Sequence, residues 1–151
     1  MRFRLIDHIV EYSPWEKITA LKSVSFEEYS LKDKFGCEPS LPETLLIEAM
    51  LQAGNWLITL SSNFTKLGFI LSIKEIIVHR SLLPGETASF KLRVVSKHED
   101  SILMEGEGTV NGEEIVVGRG CIAVFSELST FEDPEDLKVL YEEIGPEPPG
   151  Y

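Results

Sequence analysis

Cysteine is scarce in this chain of 151 residues, which contains only Cys37 and Cys121. The two lie far apart and lack the close spacing of metal ligands, so we expect free thiols and no metal site. Free thiols favour a reducing compartment, and the N-terminal residues contain no apolar run long enough for a signal peptide. We therefore expect a cytoplasmic protein, and no motif indicates a cofactor.

Long apolar runs and basic residues are also few. The most apolar stretch, residues 45–60, is interrupted by Glu48, Gln52 and Asn55, which argues against a membrane span. The net charge of −11 disfavours nucleic acid as a partner. Residues 127–151 hold eight acidic residues and one basic residue, Lys138, so residues 1–126 carry only −4. We therefore divide the chain into a folded domain, residues 1–126, and an acidic C-terminal tail, residues 127–151.

The middle of the chain predicts a long buried helix. Ser40-Leu41-Pro42-Glu43 has capping-box spacing, with Ser40 as the N-cap, and the helix should run to about Ser62. It is apolar on most sides. Its polar members form one narrow stripe, which consists of Glu48, Gln52, Asn55 and Thr59. A helix this apolar must be covered on most of its surface, and a sheet wrapped around it would do so.

Alternating apolar residues predict strands at residues 17–24, 69–80, 87–96, 102–110 and 114–125. Asn111-Gly112 is a strong signal for a type I′ hairpin. The short connections predict antiparallel pairing, and the layout is α+β, with a long central helix wrapped by about five or six strands. In the tail, Asp133-Pro134 should begin a short helix. We expect its apolar face, Leu137, Leu140, Tyr141 and Ile144, to pack on the domain.

Two stretches carry a resemblance to a known family. The first stretch matches the motif His-Phe-Pro-Gly-x-Pro-x-x-Pro-Gly, followed after four residues by Glu-Ala-Met-x-Gln. The residues that match it, without a gap, are Phe35, Pro39, Pro42, Glu48, Ala49, Met50 and Gln52. Residues 80–86 are similar to the turn Arg-Pro-Val-x-Pro-Gly-Asp. Over residues 4–125 the chain thus resembles the 3-hydroxyacyl-acyl-carrier-protein dehydratases of the FabZ/FabA type. The resemblance implies a hot-dog fold, a dimer or multiple of dimers, and a thioester of acyl-carrier protein or coenzyme A as ligand.

The resemblance also implies roles for individual residues. Glu48 stands at the family's catalytic acid, although it also fits a polar stripe that faces solvent. Lys34 stands where the family has its catalytic histidine. Gly36 and Cys37 replace the loop's Pro-Gly pair, near the backbone N–H that helps to polarise the thioester carbonyl. Phe35, Gln52 and Trp56 are candidates for substrate contacts, and packing is the alternative use of each.

Lys34 decides how the resemblance is interpreted. To act as a base, its pKa would have to fall from about 10.4 to near 7, which costs about 4 kcal/mol. An ionised Glu48 nearby would oppose that fall. We therefore expect Lys34 to form a salt bridge or bind a carbonyl rather than accept a proton. The three histidines, His8, His79 and His98, fit structural or solvated positions, and His79 is the candidate for a substitute role.

Three functions remain open. The chain is a dehydratase with an altered base, a non-catalytic acyl-binding subunit that completes a heterodimer, or a thioesterase in which Glu48 activates water. A missing histidine favours the last two, whereas the motif match favours the first two. Because Lys34 is a poor base, we expect a homodimer of this chain alone to be a poor dehydratase.

Overall fold

The computed structural model describes residues 4–28 and 38–147. Within them, one antiparallel sheet of six strands wraps around one long helix, which confirms the predicted α+β layout. The elements are β1 (His8–Ser13), β2 (Lys17–Ser23), α1 (Glu43–Ser61), β3 (Lys66–Val78), β4 (Thr87–Lys97), β5 (Ser101–Val110), β6 (Glu113–Glu127) and α2 (Pro134–Ile144). None of the helices in these described ranges has the length and apolar character needed to span a membrane.

The core lies between α1 and the concave face of the sheet. The inward residues of α1 are almost fully buried, and they are Leu46, Ala49, Met50, Ala53 and Leu57. Glycines on the facing strands let the sheet approach the helix closely. A Cβ on Gly118 would lie 2.7 Å from the methyl carbon of Met50, and one on Gly106 would lie 3.3 Å from Sδ of the same residue. The close packing therefore depends on the absence of side chains at these positions.

The strand order is β1-β2-β4-β5-β6-β3, and it corrects two expectations. Strand β1 was not predicted at all. Strand β3 pairs with β6 at the edge of the sheet, so the expected pairing of β3 with the next strand, β4, is wrong. The connection between them does not form a hairpin because Leu82 is fully buried and its carbonyl accepts a hydrogen bond from the N–H of Leu41, 2.8 Å away. It crosses the sheet next to the start of α1.

The start of α1 also differs from the prediction. The helix begins at Glu43 with Pro42 as its N-cap, and no side chain caps it, so the capping box with Ser40 is wrong. The hydrogen bond from Leu41 to Leu82 holds the preceding backbone outside the helix. Pro42 is extended, with φ −52° and ψ 137°, and its carbonyl accepts the first helical hydrogen bonds. A proline suits this position because it has no N–H to leave unpaired.

Two other local predictions are confirmed. Asn111 and Gly112 have φ values of 49° and 82°, as a two-residue turn between β5 and β6 requires. Helix α2 begins at Pro134, and the carboxylate of Asp133 caps it by accepting a hydrogen bond from the N–H of Glu135 at 2.9 Å. The sequence therefore determines both the turn and the helix start through short-range backbone chemistry.

An ion pair closes the connection from β3 to β4. The guanidinium of Arg80 binds both carboxylate oxygens of Glu86, at 2.9 and 3.2 Å. The same carboxylate accepts a hydrogen bond from the N–H of Leu83 at 2.9 Å. The hydrogen bond from Arg80, helped by that from Leu83, lowers the pKa of Glu86. In the segment that resembles the family's turn, the carboxylate of Glu86 thus binds other residues of the same loop.

We predict that Glu86→Gln lowers the free energy of unfolding at neutral pH. Because the pKa of Glu86 is lower in the folded state, its charge stabilises the fold above the unfolded-state pKa, near 4.5. That contribution disappears as the pH falls through the lowered value. Urea unfolding should therefore show a difference in the free energy of unfolding between wild type and variant that is smaller at about pH 3 than at neutral pH.

The matched control is Glu113→Gln. Glu113 contacts the same arginine through a single longer bond of 3.4 Å and is much more exposed. Glu113→Gln should therefore change the free energy of unfolding less than Glu86→Gln does. If the difference in unfolding free energy between wild type and Glu86→Gln stayed constant across the pH range, it would contradict this role of Glu86 in the turn.

Candidate active site

The site is built on the polar stripe of α1. Asn55 forms two hydrogen bonds with the backbone of Gly68 in β3: Nδ2 donates to the carbonyl oxygen at 3.0 Å, and Oδ1 accepts from the N–H at 2.9 Å. Thr59 donates to the carbonyl of Lys66 at 3.4 Å. A Cβ on Gly68 would lie only 2.4 Å from Cδ1 of Ile58. Half of the stripe therefore attaches the first residues of β3 to the helix.

The other half of the stripe positions a carboxylate. Gln52 accepts a hydrogen bond from the N–H of Leu5 at 2.9 Å, and its Nε2 donates to Oε1 of Glu48 at 3.0 Å. The bond to Leu5 places the carbonyl side of the Gln52 amide towards the N-terminal segment. Its NH₂ group must then point towards Glu48. Glu48 itself is exposed, so its carboxylate is both oriented and accessible.

Two cavities lie on either side of this stripe. The first, of about 430 Å³, lies between α1 and α2. The second, of about 310 Å³, lies between α1 and the sheet, beside Phe69 and Ile70 of β3. Both are lined by Glu48, Gln52, Asn55 and Leu67. We name them the tail cavity and the sheet cavity. Glu48 therefore borders both cavities.

The structure brings together three of the residues predicted from the sequence. Glu48, Gln52 and Trp56 all line the tail cavity, and Glu48 and Gln52 also line the sheet cavity. The predicted loop residues, Lys34, Phe35, Gly36 and Cys37, lie outside the described residues. Their positions relative to Glu48 therefore stay predictions.

His79 does not join this group. Its Nε2 lies 2.9 Å from a carboxylate oxygen of Glu114, just beyond the far end of β3, and both side chains are about half exposed. It lines neither cavity. The position fits the structural alternative given to it from the sequence.

Sequence reasoning missed several residues of the site. Asn55 was recognised as part of the polar stripe but not as a cavity residue or as an anchor for β3. Leu137, Leu140 and Ile144 were expected to pack on the domain, but they also line the tail cavity. The period of α2 gave its apolar face, but no short-range pattern indicates which part of the domain that face covers.

Solved structures show the class of fold. One is the dehydratase heterocomplex ApeI:P from Xenorhabdus doucetiae, with a TM-score of 0.66 and 18% identity over 91% of this chain and 89% of that chain. Another is a hypothetical thioesterase protein with coenzyme A from Streptococcus pneumoniae TIGR4, with a TM-score of 0.61 and 14% identity over 84% and 98% of the two chains. The protein has the predicted hot-dog fold of dehydratases and thioesterases.

Sequence comparison is more specific. The sequence model of the FabA-like domain matches residues 1–119. The 3-hydroxyacyl-[acyl-carrier-protein] dehydratase FabZ of Shewanella sp. (strain W3-18-1) is 30% identical over 116 residues, which cover 74% of this chain and 75% of that protein. The chain belongs to the FabA-like family.

We predict that Asn55→Ala destabilises the protein. The substitution removes two hydrogen bonds and leaves the N–H and carbonyl of buried Gly68 without these partners, which should cost about 1–3 kcal/mol. Denaturant unfolding measures the change. Ser72→Ala, at an exposed position of the same strand, is the control and should stay within about 0.5 kcal/mol of wild type. Equal stability of the two variants would show that Asn55 does not anchor β3.

Proposed function

We propose that this protein binds acyl thioesters of acyl-carrier protein or coenzyme A at Glu48, as a dehydratase-like member of the FabA-like family. The observation that carries the proposal is the Glu48 carboxylate, oriented by Gln52 at 3.0 Å and lining both cavities. The FabZ relative is a dehydratase of a 3-hydroxyacyl thioester, and a structural neighbour contains coenzyme A. We place this function in the cytoplasm, as the two predicted free thiols suggest.

Dehydration of a 3-hydroxyacyl thioester requires an acid and a base. The base removes the proton from the carbon next to the thioester carbonyl, and the electron pair of that C–H bond forms the new double bond. The C–O bond breaks at the next carbon, and the acid gives its proton to the departing hydroxyl, which leaves as water. We assign the acid to Glu48. Lys34, at the position of the family's histidine, is a poor base because an ordinary lysine is protonated at neutral pH.

We therefore predict that the wild-type homodimer is a poor dehydratase and that Lys34→His raises its activity. Loss of a positioned general base typically costs about 10²–10⁴-fold in rate, so the substitution should recover part of that factor. The measurement is hydration of a trans-2-enoyl thioester by wild type, Lys34→His and Lys34→His/Glu48→Gln. The double variant should lose the gain, because glutamine keeps the shape of Glu48 without its proton.

The same assay separates the alternatives. Release of free acid and thiol by wild type, abolished in Glu48→Gln, would instead support a thioesterase in which Glu48 activates water. Dehydration that appears only when a histidine-bearing partner of the same family is added would support the heterodimer. Wild type that already hydrates the enoyl thioester as fast as Lys34→His would contradict the proposed role of Lys34.

We also propose that the functional unit is a dimer formed along β3. This strand is the edge of the described sheet, it is 13 residues long, and it exposes Phe69, Ile70, Leu71 and Ile77. An exposed apolar edge strand readily pairs with another chain. Phe69 and Ile70 also line the sheet cavity, so a second chain at this edge would close that cavity. The match to a dehydratase heterocomplex supports either an identical or a related partner.

The dimer predicts the effect of a charge at this edge. Leu71 is 70% exposed in the single chain, and Leu71→Glu would place two carboxylates in a symmetric interface. The dissociation constant measured by sedimentation should rise at least tenfold, since losing one buried leucine costs about 1.5–3 kcal/mol. Val139→Glu, on the outer side of α2 and 57% exposed, is the control and should leave the dimer intact. A wild type that sediments as a monomer at micromolar concentration would overturn the proposal.

A further inference from the structure

One wall of the tail cavity comes from outside the family domain. The FabA-like match ends at residue 119, whereas α2 begins at Pro134. This helix contributes Leu137, Leu140 and Ile144 to the lining of the cavity, opposite Glu48 and Trp56 on α1. The residues that would contact the end of a ligand next to the Glu48 carboxylate thus belong to the family domain. Those that would contact the apolar end belong partly to the acidic tail.

The wall is held firmly in place. Leu128, where the tail leaves β6, is fully buried, and its N–H donates to the carbonyl of Thr65 at 3.0 Å. The ring of Tyr141 lies 6.2 Å from the ring of Trp56 and 6.2 Å from that of Phe64. Such aromatic contacts stabilise the packing by more than the buried area alone would give. Burial, followed by its neighbour Tyr12, raises the pKa of Tyr141, which agrees with a packed position.

A second aromatic contact ties the start of the tail to the edge strand. The ring of Phe131 packs edge-on against that of Phe69 in β3, with centroids 4.9 Å apart. Leu137 and Ile144 are more than nine-tenths buried. Helix α2 is therefore a fixed part of the cavity, and its side chains define how much space lies beyond Glu48.

The chemistry of the lining indicates the class of ligand. The polar side chains on α1 are Glu48, Gln52, Asn55 and Thr59. The charged residues Arg4 and Glu132 also line the cavity. The remaining lining residues are aliphatic or aromatic: Ile6, Leu45, Trp56, Leu67, Leu137, Leu140 and Ile144. The cavity of about 430 Å³ is within the range of about 300–1,000 Å³ usual for small-molecule sites. An acyl chain matches this gradient: its thioester end lies at Glu48, and its methylene groups lie against Leu140 and Ile144.

We propose that α2 is the chain-length determinant of this protein, and that Leu140 and Ile144, with Trp56, close the end of a pocket for a medium-length acyl chain. This inference rests on the proposed function and adds to it the substrate class and the residues that select it. Leu140 is only partly buried and lines the cavity, so a change of its size alters the space without removing a core residue.

The test uses the full chain and a series of S-alkyl thioethers of pantetheine, the arm shared by both carriers, with alkyl chains from butyl to hexadecyl. These probes neither hydrolyse nor dehydrate. Calorimetry should show wild-type affinity that rises about fourfold for each methylene that enters the cavity and stops rising near octyl. Leu140→Trp should weaken octyl binding at least tenfold and leave butyl binding unchanged. Leu140→Ala should move the end of the rise to longer chains.

Val139→Ala is the matched control, because Val139 neighbours Leu140 in the helix but faces away from the cavity. It should keep the wild-type profile. If wild type binds the series but both Leu140 variants keep its profile, the role of α2 is overturned and the proposed function stands. If wild type binds none of the probes, the proposed function fails, and the inference that rests on it fails too. Leu140→Ala keeps the test decisive if the tryptophan variant does not fold.

Discussion

The pair of hydrogen bonds between Asn55 and Gly68 is the interaction on which the site depends. Among the described residues, strand β3 has a neighbouring strand on one side only. On the other side, the amide of Asn55 supplies the donor and acceptor that a further strand would have supplied. Because Gly68 is buried, leaving its backbone groups unpaired there would cost free energy. One side chain thus attaches the start of the edge strand to α1.

The same constraint explains why Glu48 is accessible. The polar stripe cannot be covered by an apolar element without leaving its groups unpaired, so the cover of α1 is interrupted along it. Asn55 and Thr59 are satisfied by β3, and Gln52 is satisfied by Leu5 and Glu48. What remains is a carboxylate between two cavities, each of which is bordered by a different element. The edge strand borders the sheet cavity and the tail helix borders the tail cavity.

Much of the fold was predictable because it is determined over short distances in the chain. The apolar period gave α1 and five of the six described strands to within a few residues, and Asn111-Gly112 and Asp133-Pro134 gave a turn and a helix start. Apart from the missed strand β1, which pairs with the adjacent β2, the failures involve contacts that are remote in sequence. The hydrogen bond from Leu41 to Leu82 is formed where a capping box had been expected. Strand β3 lies at the edge of the sheet beside β6, and not beside β4 as expected.

The site divides in the same way. The motif gave Glu48 and Gln52, and Trp56 was a further candidate for substrate contact; the structure brings all three to one cavity. The contribution of the tail was not predictable, because the amphipathic pattern of α2 specifies an apolar face and not its location. Residues such as Leu140 reach the cavity only through the path of the chain after β6.

The proposed role of Lys34, at the position of the family's histidine, has a consequence for how this site would divide its chemistry. In a site assembled across a dimer, acid and base come from different chains, so a chain can lose one and keep the other functional. Converting Lys34 into a base would cost about 4 kcal/mol against the effect of an ionised Glu48. A partner chain that contributed a histidine would avoid this cost, because Glu48, its Gln52 contact and both cavities are already in place here. Under that division of labour this chain supplies the acid and the acyl pocket.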